Sequence, residues 1–364
     1  MALRFALVIF AITQALRAQT VGSGSTGIDG ALVLTTPGTI TFDPHTFSPP
    51  LNSAGDNVYH FTRIQIATGV TVRLSAKLLR SPVFWLSQGP VQIDGEVDLS
   101  GGDGSGSARV PSDAGAGGFP GGIYGKAGYG PGAGPRGGIF TGNQFLVPLF
   151  GGSGGASAKN CSGGAGGGAL LISSSTSITV NGTISANGGS ASQTCWAGGG
   201  SGGAIRLVAP SIEGLGTLAA KGGKPDGGYG RVRLEALSNT FTGGTNDTPT
   251  TMGKPFRLFL PPNPPSSIRI AGVAGVPVGS VSKELFRLPQ MKLNTWSPVT
   301  ISIEGRFVPP GTVVELEFFS EDGTAQIAKS TPLEGTLERS TATASAPPMV
   351  GTSVGYVKAN WKQP

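Results

Sequence analysis

The stretch ITVNGTISANGG, residues 178–189, reads as a short strand, a turn at Gly182, a second short strand and a Gly-Gly pair. Ile178, Val180 and Ile184 alternate with polar residues along it. Alternation with a period of two places one face of a strand in a core and the other face outward. The stretch therefore predicts two half-buried strands joined by a tight glycine turn.

Two further copies of this pattern predict that the strands stack in successive turns. VQIDGEVDLSGG occupies residues 91–102 and IEGLGTLAAKGG occupies residues 212–223. The turn glycines Gly182 and Gly216 are 34 residues apart. A second pattern, in which a strand follows glycine directly, interleaves with the first in GGALLI (167–172), GGAIRL (202–207) and GYGRVRL (228–234). Short strands that recur with glycine-rich bends between them are typical of a solenoid.

The upstream sequence carries the same alternation and extends the repeat toward the N-terminus. The stretches concerned are FTRIQIATGVTVRL at residues 61–74 and PVFWLSQGPVQIDG at residues 82–95. With these motifs, roughly residues 20–240 resemble secreted bacterial glycine-rich proteins with a right-handed parallel β-helix, the architecture of pectin-lyase-like enzymes and many adhesins. The resemblance implies an all-β fold and leaves the activity open. The competing interpretation of the repeats is an antiparallel sandwich with long loops.

A glycine match near residue 200 imitates a nucleotide-binding fingerprint. In TCWAGGGSGGAIRL, residues 194–207, Gly198, Gly200 and Gly203 fit G-x-G-x-x-G. That fingerprint requires a following helix whose N-terminus meets the pyrophosphate. The chain continues instead as an alternating strand pattern that includes Pro210. The match follows from glycine density, and no cofactor is predicted.

The N-terminus and the composition predict an exported chain. Residues 1–18 consist of a short basic segment followed by a short apolar run. Cleavage is expected after Ala18, and cleavage after Ala15 is the alternative. This pattern is that of a signal peptide rather than a membrane anchor. The formal charge of +6 falls to +4 when Arg4 and Arg17 are removed. So mild a charge does not indicate a nucleic-acid partner. The 62 glycines and 28 prolines discourage helix throughout the chain.

The predicted β-helix domain, residues 19–250, contains a glycine-rich insert at about residues 100–168. One interpretation of the insert is a flexible loop. The other is a set of packed, extended glycine helices with three residues per turn, like polyproline II. Its aromatic residues, such as Phe119 and Phe140, are expected either to pin the insert to the wall or to present a surface to a sugar or a partner.

The two cysteines are predicted to form a disulfide. Cys161 and Cys195 have the same 34-residue spacing as the turn glycines, which places them at equivalent positions on consecutive turns. Stacked strands lie about 4.8 Å apart, within the range of about 4.4 to 6.8 Å that a disulfide spans between Cα atoms. Two free thiols or a metal pair are the alternatives, and no histidine lies nearby to complete a metal site.

The C-terminal part is predicted to be a separate small β-sandwich. A proline-rich linker at residues 251–265 precedes short strand-like runs over residues 266–364. Turn signals such as VPPGT and EDGT separate the runs. The expected core or sheet-face aromatics are Trp296, Phe307, Phe318 and Trp361. With the N-terminal domain, this gives two or three domains for the 364 residues.

Candidate chemical groups are few. Asp94, Glu96 and Asp98 alternate outward beside a turn with Asp103 nearby, which suits a Ca²⁺ site or an acid pair; the simpler interpretation is a solvated polar face.

Arg206, Arg231 and Arg233 alternate with the predicted core residues, and the register stacks Arg206 on Arg233. Stacked like charges are unfavourable, which favours an anionic partner such as an acidic polysaccharide, or else splayed, hydrated side chains.

The functional expectation is therefore a structural or surface-interaction protein. His45 and His60 are the only histidines, and His60 is predicted to lie in a strand, so a catalytic triad or a metal-histidine site is poorly supplied. We expect an exported, adhesin-like protein without a catalytic site, with polysaccharide or cell-surface components as partners. A polysaccharide lyase or glycoside hydrolase on the β-helix is the alternative, and an ice- or surface-binding protein is a third candidate. The sequence leaves the oligomeric state open.

Overall fold

The structure is a computed structural model that describes residues 21–52, 55–192, 195–256, 258, 260, 267–278, 297–319, 325–346 and 356–360. The predicted signal peptide with its cleavage sites, Trp296, Trp361 and the side chain of Phe318 lie outside the described residues. The fold is nearly all β, with 39% of residues in strands and the parallel sheets in a nearly closed, barrel-like arrangement. No α-helix occurs among the described residues, and one short 3-10 helix spans Pro44–Thr46.

Parallel strands make up the N-terminal two thirds of the chain. They are β1 (Ala31–Leu34), β2 (Gly38–Thr41), β3 (Val58–Phe61), β4 (Arg63–Ile66), β5 (Val70–Arg73), β6 (Val83–Ser87), β7 (Val91–Ile93), β8 (Glu96–Asp98), β9 (Ala169–Ser174), β10 (Ser177–Val180), β11 (Thr183–Ser185), β12 (Ala204–Glu213), β13 (Thr217–Ala219), β14 (Arg231–Asn239) and β15 (Thr250–Gly253).

These strands form three walls, and successive strands return to the same wall. The first wall has the order β3-β6-β9-β12-β14-β15. The second wall has the order β1-β4-β7-β10-β12, and the third wall has the order β2-β5-β8-β11-β13. The beginning of β12 pairs with β9 and its end pairs with β10, and β14 pairs with both parts of β12, so these two long strands each extend over two walls. The parallel pairing excludes the antiparallel sandwich as the interpretation of these repeats.

The predicted alternation decides which side chains enter the core between the walls. Ile178, Val180 and Ile184 lie in one apolar cluster, together with Ile205 and Leu207. All five are fully buried. Phe42, Phe47, Tyr59, Phe61 and Trp85 form a group of ring contacts at the first turns. The core is thus a column of stacked apolar side chains that begins with aromatic residues.

The glycine-rich segments all leave the walls at one corner, between the third wall and the first. Hydrogen-bond partners there recur every third residue. Gly163, Gly166 and Ala169 donate backbone N–H groups to residues 122, 119 and 116, while Gly164 and Gly167 donate to residues 198 and 201. A period of three is that of the polyproline II helix. The structure therefore supports packed, extended glycine helices rather than a flexible loop, and we call this region the glycine bundle (residues 99–168, 186–203 and 220–230).

Glycine is required in this bundle because neighbouring backbones occupy the space of a side chain. A Cβ atom at Gly164 would lie 1.9 Å from the carbonyl oxygen of Gly189, and one at Gly166 would lie 1.9 Å from that of Gly152. Such distances are far inside van der Waals contact, which is about 3.5 Å. Small residues such as Ala165 occupy the remaining positions of the same segment. Backbone approach, rather than flexibility, explains the glycine content of the insert.

The predicted disulfide between Cys161 and Cys195 is present, with 6.5 Å between the Cα atoms. Its sequence separation of 34 matches the offset of the Gly164–Gly198 and Gly167–Ser201 hydrogen bonds. The cysteines precede these pairs by one step of three residues. The disulfide therefore joins two parallel segments of the glycine bundle rather than two wall strands.

The C-terminal strands are antiparallel and form two sheets. The strands are β16 (Ser267–Val273), β17 (Val276–Pro277), β18 (Val299–Arg306), β19 (Val313–Phe319), β20 (Ala325–Pro332), β21 (Glu334–Gly335), β22 (Ser340–Ala346) and β23 (Tyr356–Asn360). One sheet has the order β17-β16-β18-β22-β21 and the other has the order β20-β19-β23. Ile301, Ile303, Val314 and Leu316 from both sheets belong to one apolar cluster. Phe307 is half-buried.

Candidate functional site

Two of the four predicted acidic residues, Glu96 and Asp98, contact other side chains of the protein on the third wall. Asp98 forms an ion pair with Arg73, and it also accepts a hydrogen bond from the Ser185 hydroxyl at 3.1 Å. Glu96 accepts a hydrogen bond from the Thr71 hydroxyl at 3.3 Å. These contacts run along the stacking direction, because β5, β8 and β11 are neighbours in this wall. Both carboxylates therefore link one turn to the next.

The other two acidic residues are engaged in the same way. Asp94 accepts from the side-chain amides of Asn181 at 2.9 Å and Gln92 at 2.7 Å. Asp103 accepts from the backbone N–H of Ser190 at 2.7 Å. Within the part of the chain that the structure describes, no group of three or more His, Cys, Asp or Glu side chains is placed to hold a metal ion. The Ca²⁺ or acid-pair hypothesis stays a prediction, and these contacts favour a structural use of the four carboxylates.

Arg206 and Arg233 are stacked in register as predicted, but they are buried. The two residues are Cα partners of β12 and β14. Their side chains are 1% and 8% exposed, and both contact Glu235, which is fully buried. Nε and Nη2 of Arg206 donate to the two carboxylate oxygens at 3.0 and 3.2 Å, and Nε of Arg233 donates at 3.2 Å. A shared carboxylate thus relieves the repulsion between the stacked guanidinium groups.

Two phenylalanines cover this charged cluster. The guanidinium carbon of Arg206 lies 4.7 Å from the ring centroid of Phe256, and that of Arg233 lies 5.4 Å from the centroid of Phe145. The two rings meet edge to face at 6.1 Å. Cation–π contacts and exclusion of water strengthen the pairing. Phe145 belongs to the glycine-rich insert, so this cluster also fastens the insert to the first wall.

The outer face of the first wall is covered along most of its length. Leu146 and Leu149 of the insert pack there against Phe84 and Leu171, and Phe140 joins the same cluster. Phe140 thus pins the insert to the wall, which is one of the two roles expected for the insert aromatics. Because this face is covered, outward-pointing residues of the first wall are not automatically in contact with solvent. The alternation pattern alone does not reveal this cover.

Arg206 and Arg233 do not project into solvent, so the expectation of splayed, hydrated side chains is wrong for these two residues. Arg231 differs, since the residue is partly exposed while its Nε atom is buried and has no hydrogen-bond partner within the described part of the chain. Anionic-glycan binding by the set Arg206, Arg231 and Arg233 stays a prediction, and the burial of two members gives it no support.

Both histidines form hydrogen bonds with neighbouring groups of the protein. His60 lies in β3, as expected, and its Nδ1 atom accepts from the backbone N–H of Thr26 at 3.1 Å. Its own backbone N–H donates to the carboxylate of Asp29 at 2.6 Å. His45 lies in the 3-10 helix, where its backbone N–H donates to Asp43 at 3.0 Å. These contacts hold the N-terminal segment against the first turns.

A second arginine cluster, which sequence reasoning did not predict, lies in the C-terminal sheet. Arg269, Arg306 and Arg339 all contact the carboxylate of Glu304, at N···O distances of 3.0, 3.1 and 3.1 Å. Glu304 is 2% exposed, whereas the three arginine side chains are 47%, 57% and 67% exposed. We call these four residues the Glu304 cluster. The four residues come from β16, β18 and the turn before β22, so no local motif announces them.

The arginines change the acidity of the central carboxyl. Hydrogen bonds from Arg269 and Arg306 and the charges of Arg269 and Arg339 lower the pKa of Glu304 from its ordinary value of 4.5 to about 2, against the opposing effect of burial. Opposite charges and donated hydrogen bonds both favour the ionised form. Glu304 is therefore a carboxylate at every physiological pH, and it holds the guanidinium groups together.

Comparisons with known proteins identify no family for the chain. No family model matches it, and neither a curated protein nor a solved structure is similar to it. Among the residues that the structure describes, no helix has the length and apolar character needed to span a membrane. The functional conclusion therefore depends on the geometry of this chain alone.

Proposed function

We propose that this chain is an exported structural or surface-interaction protein, adhesin-like and without a catalytic site, whose partners include polysaccharide. The observation that carries the proposal is the cross-linking of successive turns. The glycine bundle, the disulfide and the cluster of Arg206, Arg233 and Glu235 all join turns or fasten the insert to the walls. A chain that uses its polar groups in this way is suited to hold a fixed shape, and a fixed shape is what a surface module must present.

We propose a right-handed parallel β-helix as the architecture of residues 19–250. The return of successive strands to three walls supports it. Parallel crossover connections are right-handed in about 98% of cases, which supports the hand. For residues 266–364 we propose a β-sandwich, because one apolar cluster draws residues from both antiparallel sheets. The linker predicted at residues 251–265 stays a proposal, and its first residues, up to Gly253, belong to β15 of the first wall.

The alternative is a polysaccharide lyase or glycoside hydrolase, which needs carboxyl groups that face a substrate. The four predicted carboxylates each contact a protein partner instead, which favours binding over cleavage. The disulfide supports export, because such bonds persist mainly in oxidising compartments.

A glycan array combined with a reducing-sugar assay tests the proposal. The purified full chain is incubated with a panel of neutral and acidic polysaccharides, and retention and release of reducing ends are both measured. We expect retention of at least one polysaccharide and no release of sugar. Release that is lost in an Asp98→Asn variant of unchanged stability would instead establish the hydrolase or lyase alternative.

A further inference from the structure

The Glu304 cluster has more positive charge than its carboxylate neutralises. Three guanidinium groups surround one carboxylate, which leaves a net charge of about +2 because arginine stays protonated. Arg306 contacts Glu304 through Nε, and Arg269 and Arg339 contact it through Nε and Nη2. Among the described residues, the Nη1 atoms of the three arginines have no hydrogen-bond or ion-pair partner. The three arginine side chains are about half exposed or more, so the cluster presents guanidinium edges to the solvent.

The carboxylate fixes these donors in place. A free arginine side chain loses considerable rotamer freedom when it binds a ligand. Here the Glu304 oxygens already hold the three guanidinium groups, so part of that entropy is lost before any ligand arrives. Pre-organisation of this kind increases affinity by lowering the cost of binding. Because Glu304 itself is buried beneath the arginines, an approaching anion meets their exposed edges rather than the carboxylate.

The surrounding sheet face carries hydroxyl groups. The exposed or half-exposed residues of β18 and β22 on this face are Thr300, Ser302, Thr341, Thr343 and Ser345. Ala342 and Ala344 alternate with them and point into the core. Hydroxyl groups beside fixed guanidinium groups match the hydroxyl and acid groups of a sugar chain. The outward residues of these two central strands include no aromatic ring on which a nucleic-acid base would stack.

From this geometry we infer that the outer face of the β16-β18-β22 sheet binds an anionic polysaccharide through Arg269, Arg306 and Arg339. Each guanidinium edge recognises a carboxylate or sulfate group of the polymer by charge-assisted hydrogen bonds. The inference rests on the proposed function and gives it a site and a ligand class. It also moves the anionic-glycan site away from the first wall, where Arg206 and Arg233 are buried.

Polymer binding by two charge-matched double variants tests the inference. One carries Arg306→Gln and Arg339→Gln, which leaves Glu304 paired with Arg269. The control carries Arg63→Gln and Arg80→Gln, both at exposed positions remote in sequence from this sheet. The probes are polygalacturonate, dextran sulfate and neutral dextran, and far-UV circular dichroism and thermal melting confirm that each full-length variant is folded.

We expect the wild-type chain to bind one of the acidic polymers, with affinity that falls as salt rises, and not neutral dextran. The first double variant should lose at least about fivefold in affinity, since two exposed charge contacts together supply about 1 kcal/mol or more. The control should change less than twofold. Glu304→Gln should bind more weakly than the wild type although the net charge of the cluster rises to about +3, because no carboxylate then holds the three guanidinium groups in place. Binding as tight as that of the wild type, or tighter, would show that net charge rather than these pre-organised donors determines affinity.

The failures of the inference and of the proposed function are distinguishable. Equal loss in the two double variants would show that net charge, not this face, determines binding, and polysaccharide binding itself would stand. Equal binding to neutral dextran would likewise overturn the anionic ligand class alone. Tighter binding to single-stranded DNA or to anionic vesicles than to either acidic polymer would overturn the choice of polysaccharide. No binding to any polysaccharide would overturn both.

Discussion

The glycine bundle makes a quantitative prediction at Gly164. In Gly164→Ala the new methyl group would lie 1.9 Å from the Gly189 carbonyl oxygen and 2.6 Å from its carbonyl carbon. Both atoms are backbone, so no side chain can rotate away. The segment around Gly189 would have to move by more than about 1 Å to restore contact at about 3.5 Å.

That movement breaks hydrogen bonds that hold the bundle together. Gly189 donates to Ala165 at 2.8 Å and accepts from Gly200 at 2.9 Å, and Gly188 donates to Lys221 at 2.7 Å. Loss of two or three such bonds costs about 1 kcal/mol each. Overpacking strain adds roughly 1–3 kcal/mol. The free energy of unfolding should therefore fall by about 3–6 kcal/mol, a large part of an ordinary domain's 5–15 kcal/mol.

Urea unfolding followed by tryptophan fluorescence measures this loss, and thermal melting checks it. A decrease in Tm on the order of 10 °C is expected. Gly106→Ala is the matched control, because no atom lies within 4 Å of its Cβ position and its φ is outside the left-handed region. That variant should be neutral or stabilised by about 0.4–1 kcal/mol, through the unfolded state. If the two variants agree within about 0.5 kcal/mol, the close backbone packing described for the bundle is wrong.

Three further predictions concern the disulfide and the two charged clusters. Replacement of Cys161 and Cys195 by serine should lower stability by roughly 3–4 kcal/mol on the chain-entropy model for a loop of this length, and a reductant should give the same shift in wild type but none in the variant. Glu235→Gln should destabilise by about 3–5 kcal/mol in urea unfolding, because it leaves two buried guanidinium groups without a carboxylate, whereas Glu213→Gln, at an exposed residue, should change stability by less than about 1 kcal/mol. The folded-state pKa of Glu304 is lowered from 4.5 to about 2, so its contribution to the free energy of unfolding is complete above about pH 4.5 and is lost as pH falls toward 2. We expect a loss of about 1–3 kcal/mol over that window, a value already reduced for solvent screening. A Glu304→Gln chain whose stability falls with acid in the same way as that of the wild type would contradict this prediction.

The local pattern predicted most of the individual elements. Strand positions follow from alternation at Ile178 to Ile184, and the core side chains Ile205 and Leu207 were placed correctly. The 34-residue spacing predicted the disulfide between Cys161 and Cys195. Strands β1, β2, β15, β17, β20 and β21 were not predicted, because their stretches are very short or lack a strong alternation or a repeat partner. The correct predictions share a cause, because the period of alternation and the residue spacing are both properties of the sequence itself.

The charged residues show the limit of such patterns. Alternation places Arg206 on the outer face of β12, but it contains no information on what covers that face. The cover comes from Phe145, in an insert remote in sequence, and from Phe256, beyond the last strand of the wall. The neutralising Glu235 is 29 residues from Arg206. The burial of this pair was therefore decided by tertiary packing.

The sequence by itself determined the all-β class, the positions of most strands and the need for glycine at one corner of the turns, because each depends on a side chain's size, or on the two-residue period of a strand. Only the tertiary structure decided that the glycine segments pack as helices with a three-residue hydrogen-bond period, since their partners lie in segments distant in sequence. It also decided which arginines are buried and which are exposed. Arg206 and Arg306 are the same residue type in the same kind of alternating strand, and the difference between 1% and 57% exposure comes from what packs over each sheet.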